Sequence, residues 1–187
     1  MPRPDSLTDG SIALRPFTLD DVPPVTAACQ DPEISKWRAS IPWPYNESNA
    51  RDWISTHAHK WAHGESAQFA VVSAGGGRFL GSFGFHKFDW NQGTAVAQYW
   101  IASPDRERGF ATRALCLGTD WAFEELGLAQ IELMTVIDNF ASQRVAQKAG
   151  FEMKSENQDF FIATVPDQSV HVKWWTLCRA TAPSSGG

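Results

Sequence analysis

The residues best suited to chemistry stand around Gly109, where two arginines precede a helical pattern. Arg106 and Arg108 are predicted to lie in a turn between a strand ending near Ile101 and a helix beginning after Gly109. The first turn of a helix leaves backbone N–H groups unpaired, and the helix dipole adds partial positive charge there. Because Gly109 has no Cβ, a ligand can approach this backbone closely. The segment therefore predicts an anion site, best suited to a phosphate or a pyrophosphate.

A second polar segment runs from Asn139 to Phe151. Asn139 is predicted to cap a short helix, because its side chain can accept a hydrogen bond from the first turn. Gly150 is predicted to end that helix in the left-handed conformation. Ser142 lies at the helix start, where its hydroxyl serves either as a cap or as a hydrogen-bond donor to a ligand.

The elements that must position these segments follow a strand–helix–strand order. One apolar strand ends at Ile101, the helix after Gly109 runs to about Leu126, and a second strand covers Ile131 to Val136. Such a crossover makes the two strands parallel, whereas the three strands before the crossover are joined by short turns and run antiparallel. We therefore expect an α+β fold with a mixed, mostly antiparallel sheet that opens into a V and is flanked by helices.

The remaining chain is predicted to form one domain over residues 11–178, with flexible termini at 1–10 and 181–187. Its first strand covers residues 11–16, and a short helix runs to about Cys29. A loop rich in proline and aromatic residues follows from Asp31 to Tyr45, and its aromatic side chains either pack on the core or line a pocket. A tryptophan-rich helix then runs from about Asn46 to Gly64, and a hairpin ends the domain.

Composition argues against several classes of protein. The net charge of −5 disfavours nucleic acid as the main partner, and the chain holds no apolar run of the roughly 18 residues that span a membrane. Three widely spaced cysteines indicate free thiols in a reducing cytoplasm. His59 and His63 have the i, i+4 spacing of metal ligands, but no third ligand is nearby, so we expect surface histidines and no metal.

The two polar segments resemble the signatures of one enzyme superfamily. Arg106-x-x-Gly109-x-Ala111 resembles the acetyl-CoA signature of the GNAT acetyltransferases, and the sequence from Tyr99 onward resembles their RimJ/RimL-like branch. The segment from Asn139 resembles the second GNAT signature, Asn-x-x-Ser-x-x-Val-x-x-Lys-x-Gly-Phe. The resemblance implies the GNAT fold and an N-acetyltransferase, in which a primary amine attacks the thioester of acetyl-CoA directly. The amine is a protein N-terminus or a small molecule, and homodimer formation stays open.

The resemblance also implies roles for individual residues. Ser142 is the candidate donor to the leaving thiolate, and Asn139 stands beside it as a second catalytic candidate. The implied acetyl-CoA-binding residues are Trp100, Ile101, Ala102, Arg106, Arg108, Gly109, Phe110, Ala111, Thr112, Asn139 and Lys148. The expected acceptor-binding residues are Trp37, Tyr45, His86 and Gln98.

Three positions depart from the family pattern and keep alternatives open. Glu107 stands where the branch often has glycine, Val96 where it has a glutamate base, and Ala146 where many GNAT enzymes have a tyrosine acid. His86, Asp159 or a water relay would then have to accept the proton of the amine. The alternatives are a GNAT-fold module that binds acetyl-CoA without turnover, and a small-ligand-binding protein that uses its tryptophan-rich helices.

Overall fold

Alternating and continuously apolar segments form a sheet of eight strands in the computed structural model of the chain, which describes residues 1–37, 41–161 and 169–179. The strands are β1 (Leu7–Thr8), β2 (Ile12–Pro16), β3 (Ser66–Ser73), β4 (Phe79–Asp89), β5 (Thr94–Ile101), β6 (Gln130–Val136), β7 (Glu152–Phe161) and β8 (Ser169–Cys178). Their order across the sheet is β1-β2-β3-β4-β5-β6-β8-β7. The expected final hairpin is present, because β7 and β8 pair antiparallel.

The predicted parallel pair joins β5 to β6, and all other neighbouring strands run antiparallel. The parallel register extends only from Thr94 opposite Gln130 to Ala97 opposite Leu133. Beyond this point β5 continues to Ile101 and β6 continues to Val136, so their remaining residues are not paired with each other. The sheet therefore opens into a V between these two strands, and the fold prediction is confirmed.

Helices cover both faces of the sheet and create two cores. The helices are α1 (Val22–Cys29), α2 (Pro32–Trp37), α3 (Glu47–Ser55), α4 (His57–Ala62), α5 (Phe110–Glu124) and α6 (Phe140–Lys148). Adjacent residues of a strand point to opposite faces of the sheet. Phe69 of β3 therefore packs in one core, together with Leu115 of α5. Its neighbour Ala70 joins the other core, with Val25 of α1 and Trp100 of β5.

Gly118 allows α5 to lie directly against β4. A Cβ at this position would overlap the ring of Phe83, which is fully buried. This close approach helps to fix the start of α5 relative to the end of β5, where the anion site was predicted.

The N-terminal residues, expected to be a flexible lead, instead join the sheet. Leu7 and Thr8 pair with β2 as β1, and Asp9 forms an ion pair with Arg113 of α5 at 2.9 Å. The carbonyl of Pro2 also accepts a hydrogen bond from the indole of Trp61 at 3.1 Å. The predicted C-terminal tail, residues 181–187, lies outside the described residues.

Two further elements differ from the expected ones. The proline-rich segment contains the helix α2, because Pro32 occupies its first position, where proline needs no N–H partner. The single helix expected from Asn46 to Gly64 is two helices that meet at Thr56. The sequence allows either Asn46 or Ser48 as the cap of the first helix, and Asn46 is the one that caps it, by accepting a hydrogen bond from the N–H of Asn49.

His57 is a buried histidine that makes the fold sensitive to acid. Its side chain packs edge-on against Trp53 and Phe17, with ring centroids 4.4 and 5.2 Å away. Burial lowers the pKa of His57 from its usual 6.5 to about 4, so the unfolded chain takes up the proton first as the pH falls. The stability associated with neutral His57 is complete above pH 6.5 and is lost as the pH falls toward 4.

We therefore predict that His57→Phe is less sensitive to acid than the wild type. Between pH 7 and pH 4.5, the wild type should lose about 2–3 kcal/mol more unfolding free energy than the variant does. Urea unfolding at several pH values measures this shift, and the exposed His63, changed to Gln, provides the control. Parallel pH profiles for wild type and His57→Phe would show that His57 does not govern the acid response.

Candidate active site

A cavity of about 530 Å³ lies where β5 and β6 part. Four elements supply its walls: the unpaired end of β5, the turn before α5, the helix α6 and the helix α2. The residues that line it are Glu33, Ile34, Trp37, Tyr99, Trp100, Ile101, Asp105, Arg106, Glu107, Gly109, Phe110, Ala111, Thr112, Asn139, Ala141, Ser142, Arg144, Val145 and Lys148. The two segments singled out in the sequence thus open into one space.

The turn before α5 has the backbone expected of an anion site. Gly109 caps the helix with φ of 80°, and Glu107 has φ of 61°, so two left-handed residues flank Arg108. No atom lies within 4 Å of the place where a Cβ on Gly109 would stand, which leaves this side of the turn open. The N–H groups of the first helical turn lack intrahelical acceptors, and the helix dipole favours negative charge beside them.

The arginines of this turn are engaged by two carboxylates, of which Asp105 is buried and Asp31 is partly exposed. Asp105 accepts two hydrogen bonds from Arg78, at 2.6 and 2.8 Å, and one from Arg108 at 3.2 Å. The hydrogen bonds from Arg78 hold the pKa of Asp105 below its usual value. Arg106 pairs with Asp31 at 2.7 Å and donates through Nε to the carbonyl of Ile101 at 3.1 Å. The main effect of these contacts is to fix the shape of the turn.

Two exposed cations on α6 face the same cavity. Arg144 and Lys148 are one helical turn apart, which puts both on one side of the helix. Lys148 was expected in the site, whereas Arg144 was missed, although its i, i+4 spacing to Lys148 carried the signal. Both can attract a ligand that bears several negative charges.

A hydroxyl cluster joins β5 to α6 at the edge of the cavity. Asn139 caps α6, as predicted, by accepting a hydrogen bond from the N–H of Ser142 at 3.0 Å. The phenol oxygen of Tyr99 lies 2.8 Å from Ser142 Oγ and 3.2 Å from the Ser142 carbonyl oxygen. Burial raises the pKa of Tyr99, although the hydrogen bond with Ser142 opposes this, so the phenol stays neutral. Sequence reasoning missed Tyr99, although its two-residue spacing from Ile101 predicted a shared face of β5.

The open edge of β5 offers a backbone donor to the cavity. The N–H of Ala102 donates to the carbonyl of Leu80 on the β4 side at 2.8 Å. Because successive N–H groups of a strand point to opposite edges, the N–H of Ile101 points toward the gap left by β6. It is therefore suited to stabilise an oxygen that becomes negative near the end of β5.

The residues expected to bind the acceptor are only partly brought together. Trp37 lines the cavity, joined by Glu33 and Ile34, which were missed because a loop was expected in place of α2. The other three expected residues stand elsewhere. Tyr45 is buried in the core with α1 and α3, His86 lies on β4 opposite Val96, and Gln98 donates to Gln68 at 3.2 Å.

Two of the residues expected to bind acetyl-CoA, Ala102 and Arg108, are not among those that line the cavity. Ala102 follows the end of β5 without lining the cavity, and Arg108 turns to Asp105 and over the ring of Phe110. The side chain of Asp159 lies outside the described residues. Within the described ranges, no three His, Cys, Asp or Glu side chains are grouped to hold a metal ion, and no helix there has the length and hydropathy to cross a membrane.

Comparison with known proteins agrees with this geometry. The family model described as "Acetyltransferase (GNAT) domain" matches residues 11–152. N-acetyltransferase p20 of Bacillus licheniformis is 24% identical over 156 residues, covering 83% of this chain and 87% of that protein. The structure of the microcin C7 self-immunity acetyltransferase MccE, solved with acetyl-CoA and AMP, matches with a TM-score of 0.82 and 17% identity, covering 94% and 100% of the two chains. RimJ of Mycobacterium smegmatis, in complex with CoA-disulfide, matches with a TM-score of 0.79 and 18% identity, covering 92% and 85%. Because the family model spans most of the chain, this protein belongs to the GNAT acetyltransferase family.

Proposed function

We propose that this acetyltransferase moves the acetyl group of acetyl-CoA to a primary amine that enters beside α2. The observation that carries the proposal is the single cavity into which both the anion turn at Gly109 and the hydroxyl of Ser142 open. The Gly109 turn suits the pyrophosphate, and α2 contributes an apolar and acidic wall. We further propose that it acts in the cytoplasm, where acetyl-CoA is available and free cysteines stay reduced.

The cofactor would be held mainly by backbone groups and by α6. The N–H groups from Arg108 to Thr112 are suited to the pyrophosphate, and Arg144 and Lys148 add positive charge nearby. Pantetheine is rich in amides, so it can pair with the open edge of β5 from Tyr99 to Ile101. This direction would carry the thioester carbonyl toward the N–H of Ile101.

The reaction needs two proton transfers. The amine nitrogen attacks the thioester carbon, the carbon–sulfur bond breaks, and the thiolate takes up a proton as the amine loses one. Ser142 Oγ is the proposed donor to the sulfur, and Ile101 N–H stabilises the oxyanion. A water relay is the proposed route for the amine proton, because His86 lies off the cavity and Val96 cannot accept a proton.

The acceptor wall suits an amine that carries positive charge and an apolar part. Glu33 and Trp37 line the cavity from α2. The ammonium of Lys36 lies 3.7 Å from the Glu33 carboxylate and 4.7 Å from the Trp37 ring centroid. An acceptor ammonium at this wall would take the place of Lys36 beside the carboxylate and the aromatic face.

A mass-spectrometric screen tests the proposed function. Acetyl-CoA is incubated with the protein and with N-terminal peptides, amino acids, polyamines or aminoglycosides, and the acetylated acceptors are identified. We expect one cationic class to be acetylated, and less of it with Glu33→Gln. If acetyl-CoA binds and no amine is acetylated, the non-catalytic module, which Val96 and Ala146 favour, is the correct alternative.

Glu107 is predicted to weaken the cofactor site through both its charge and its backbone. It holds φ of 61°, a conformation that costs a non-glycine residue about 1 kcal/mol or more, and it is one of the residues that line the cavity. Glu107→Gly should therefore raise the unfolding free energy by about 1 kcal/mol and tighten acetyl-CoA binding. Glu107→Ala is the matched control, because it removes the charge and keeps the backbone strain. Equal stability of the two variants would show that strain at this residue is negligible.

A further inference from the structure

We propose that Tyr99 is a positioning residue that aims the hydroxyl of Ser142 at the leaving sulfur. This inference rests on the proposed acetyl transfer and gives a role to a residue to which the resemblance assigned none. Its basis is the contact of 2.8 Å between the Tyr99 phenol oxygen and Ser142 Oγ at the edge of the cavity.

The backbone of Ser142 is already fixed, so only its hydroxyl needs orientation. The N–H of Ser142 donates to the side chain of Asn139, which caps the helix. Its side chain can still rotate among staggered conformations, of which only some point into the cavity. The phenol of Tyr99 favours the conformation in which Ser142 Oγ lies within hydrogen-bond distance of it.

The direction of the hydrogen bond between Tyr99 and Ser142 determines whether Ser142 can donate its own proton into the cavity. The single proton of the Tyr99 phenol can go to Ser142 Oγ at 2.8 Å or to the Ser142 carbonyl at 3.2 Å. The contact with Oγ is the shorter one and a phenol is a stronger acid than a serine hydroxyl, so Tyr99 donates to Ser142 Oγ. The proton of Ser142 is then free to point into the cavity. When Ser142 Oγ accepts a hydrogen bond from Tyr99, its own O–H bond becomes more polar, and the hydrogen bond that it donates into the cavity becomes stronger. Tyr99 itself keeps its proton, because burial disfavours the phenolate.

The same contact spans the opening of the sheet. Tyr99 stands on the part of β5 that has separated from β6, and Ser142 stands on α6, which follows β6. The hydrogen bond therefore joins the two arms of the V at the level where the thioester is expected. Its loss should misalign the donor without removing the groups that hold the pyrophosphate.

Tyr99→Phe tests the inference, because it removes only the hydroxyl and keeps the ring. We expect kcat to fall roughly tenfold, with KM for acetyl-CoA unchanged. The double variant Tyr99→Phe/Ser142→Ala should be no slower than Ser142→Ala alone, since both changes disable one donor. Thr119→Val is the control: it removes a buried hydroxyl that donates to the carbonyl of Cys116 in its own helix, and should leave kcat unchanged.

Two results would overturn the inference. A wild-type kcat in Tyr99→Phe would show that the phenol is not needed to aim Ser142. Losses that multiply in the double variant would show that Tyr99 acts apart from Ser142. Failure of the proposed function looks different, since the wild-type chain itself would then bind acetyl-CoA without acetylating any amine.

Discussion

Gly109→Glu is expected to abolish acetyl-CoA binding. Gly109 has φ of 80°, so any side chain at this position strains the backbone that presents the helix N–H groups. The new side chain would occupy the open side of the turn, where no atom lies within 4 Å, and would place a negative charge where the pyrophosphate is expected. Isothermal titration with acetyl-CoA measures the loss.

Two controls separate the causes of this loss. Gly109→Ala keeps the backbone strain and adds no charge, so its binding should be weakened less than that of the glutamate variant. Gly127→Glu adds the same charge and a similar backbone strain, with φ of 67°, in the open turn beyond the far end of α5, so its binding should match the wild type. Wild-type affinity in Gly109→Glu would place the cofactor away from this turn.

Ser142→Ala is expected to lower kcat by roughly tenfold to a thousandfold, the scale of a lost acid or transition-state donor. Affinity for acetyl-CoA should change little, because the pyrophosphate is held by other groups. Steady-state kinetics on one identified acceptor measures both quantities. Ser55→Ala serves as the control, since Ser55 is exposed on α3 and bonds only to the carbonyl of Asp52.

The same kinetics tests the proton route. With a water relay as the base, the wild-type rate should rise with pH up to the pKa of the acceptor amine. Ser142→Ala should keep this profile at a lower rate, because the serine acts on the sulfur. An inflection near neutral pH that disappears in His86→Ala would identify a histidine base instead.

The local parts of the site were predictable from the sequence. The Gly109 turn and the Asn139 cap rely on residues a few positions apart, and their backbone preferences are strong. The parallel pairing of β5 and β6 was predictable as well, because a strand–helix–strand crossover permits few arrangements. These features predict the V and place the expected anion site beside it.

The features that the sequence did not predict depend on contacts between residues far apart in the chain. Tyr99 and Ser142 are 43 positions apart, and nothing in either local sequence indicates that they meet. The ion pair between Arg106 and Asp31 likewise required α2 and the turn before α5 to be brought together. The docking of the N-terminal residues was missed for the same reason, since Leu7 and Thr8 become a strand only through pairing with β2.

A crystal structure of the protein with acetyl-CoA tests the account most directly. We predict that pyrophosphate oxygens accept hydrogen bonds from the first-turn N–H groups of α5, within about 3.2 Å. The thioester oxygen should lie near the N–H of Ile101, and the sulfur should lie within about 4 Å of Ser142 Oγ. A pyrophosphate bound away from the Gly109 turn, or a sulfur out of reach of Ser142, would contradict it.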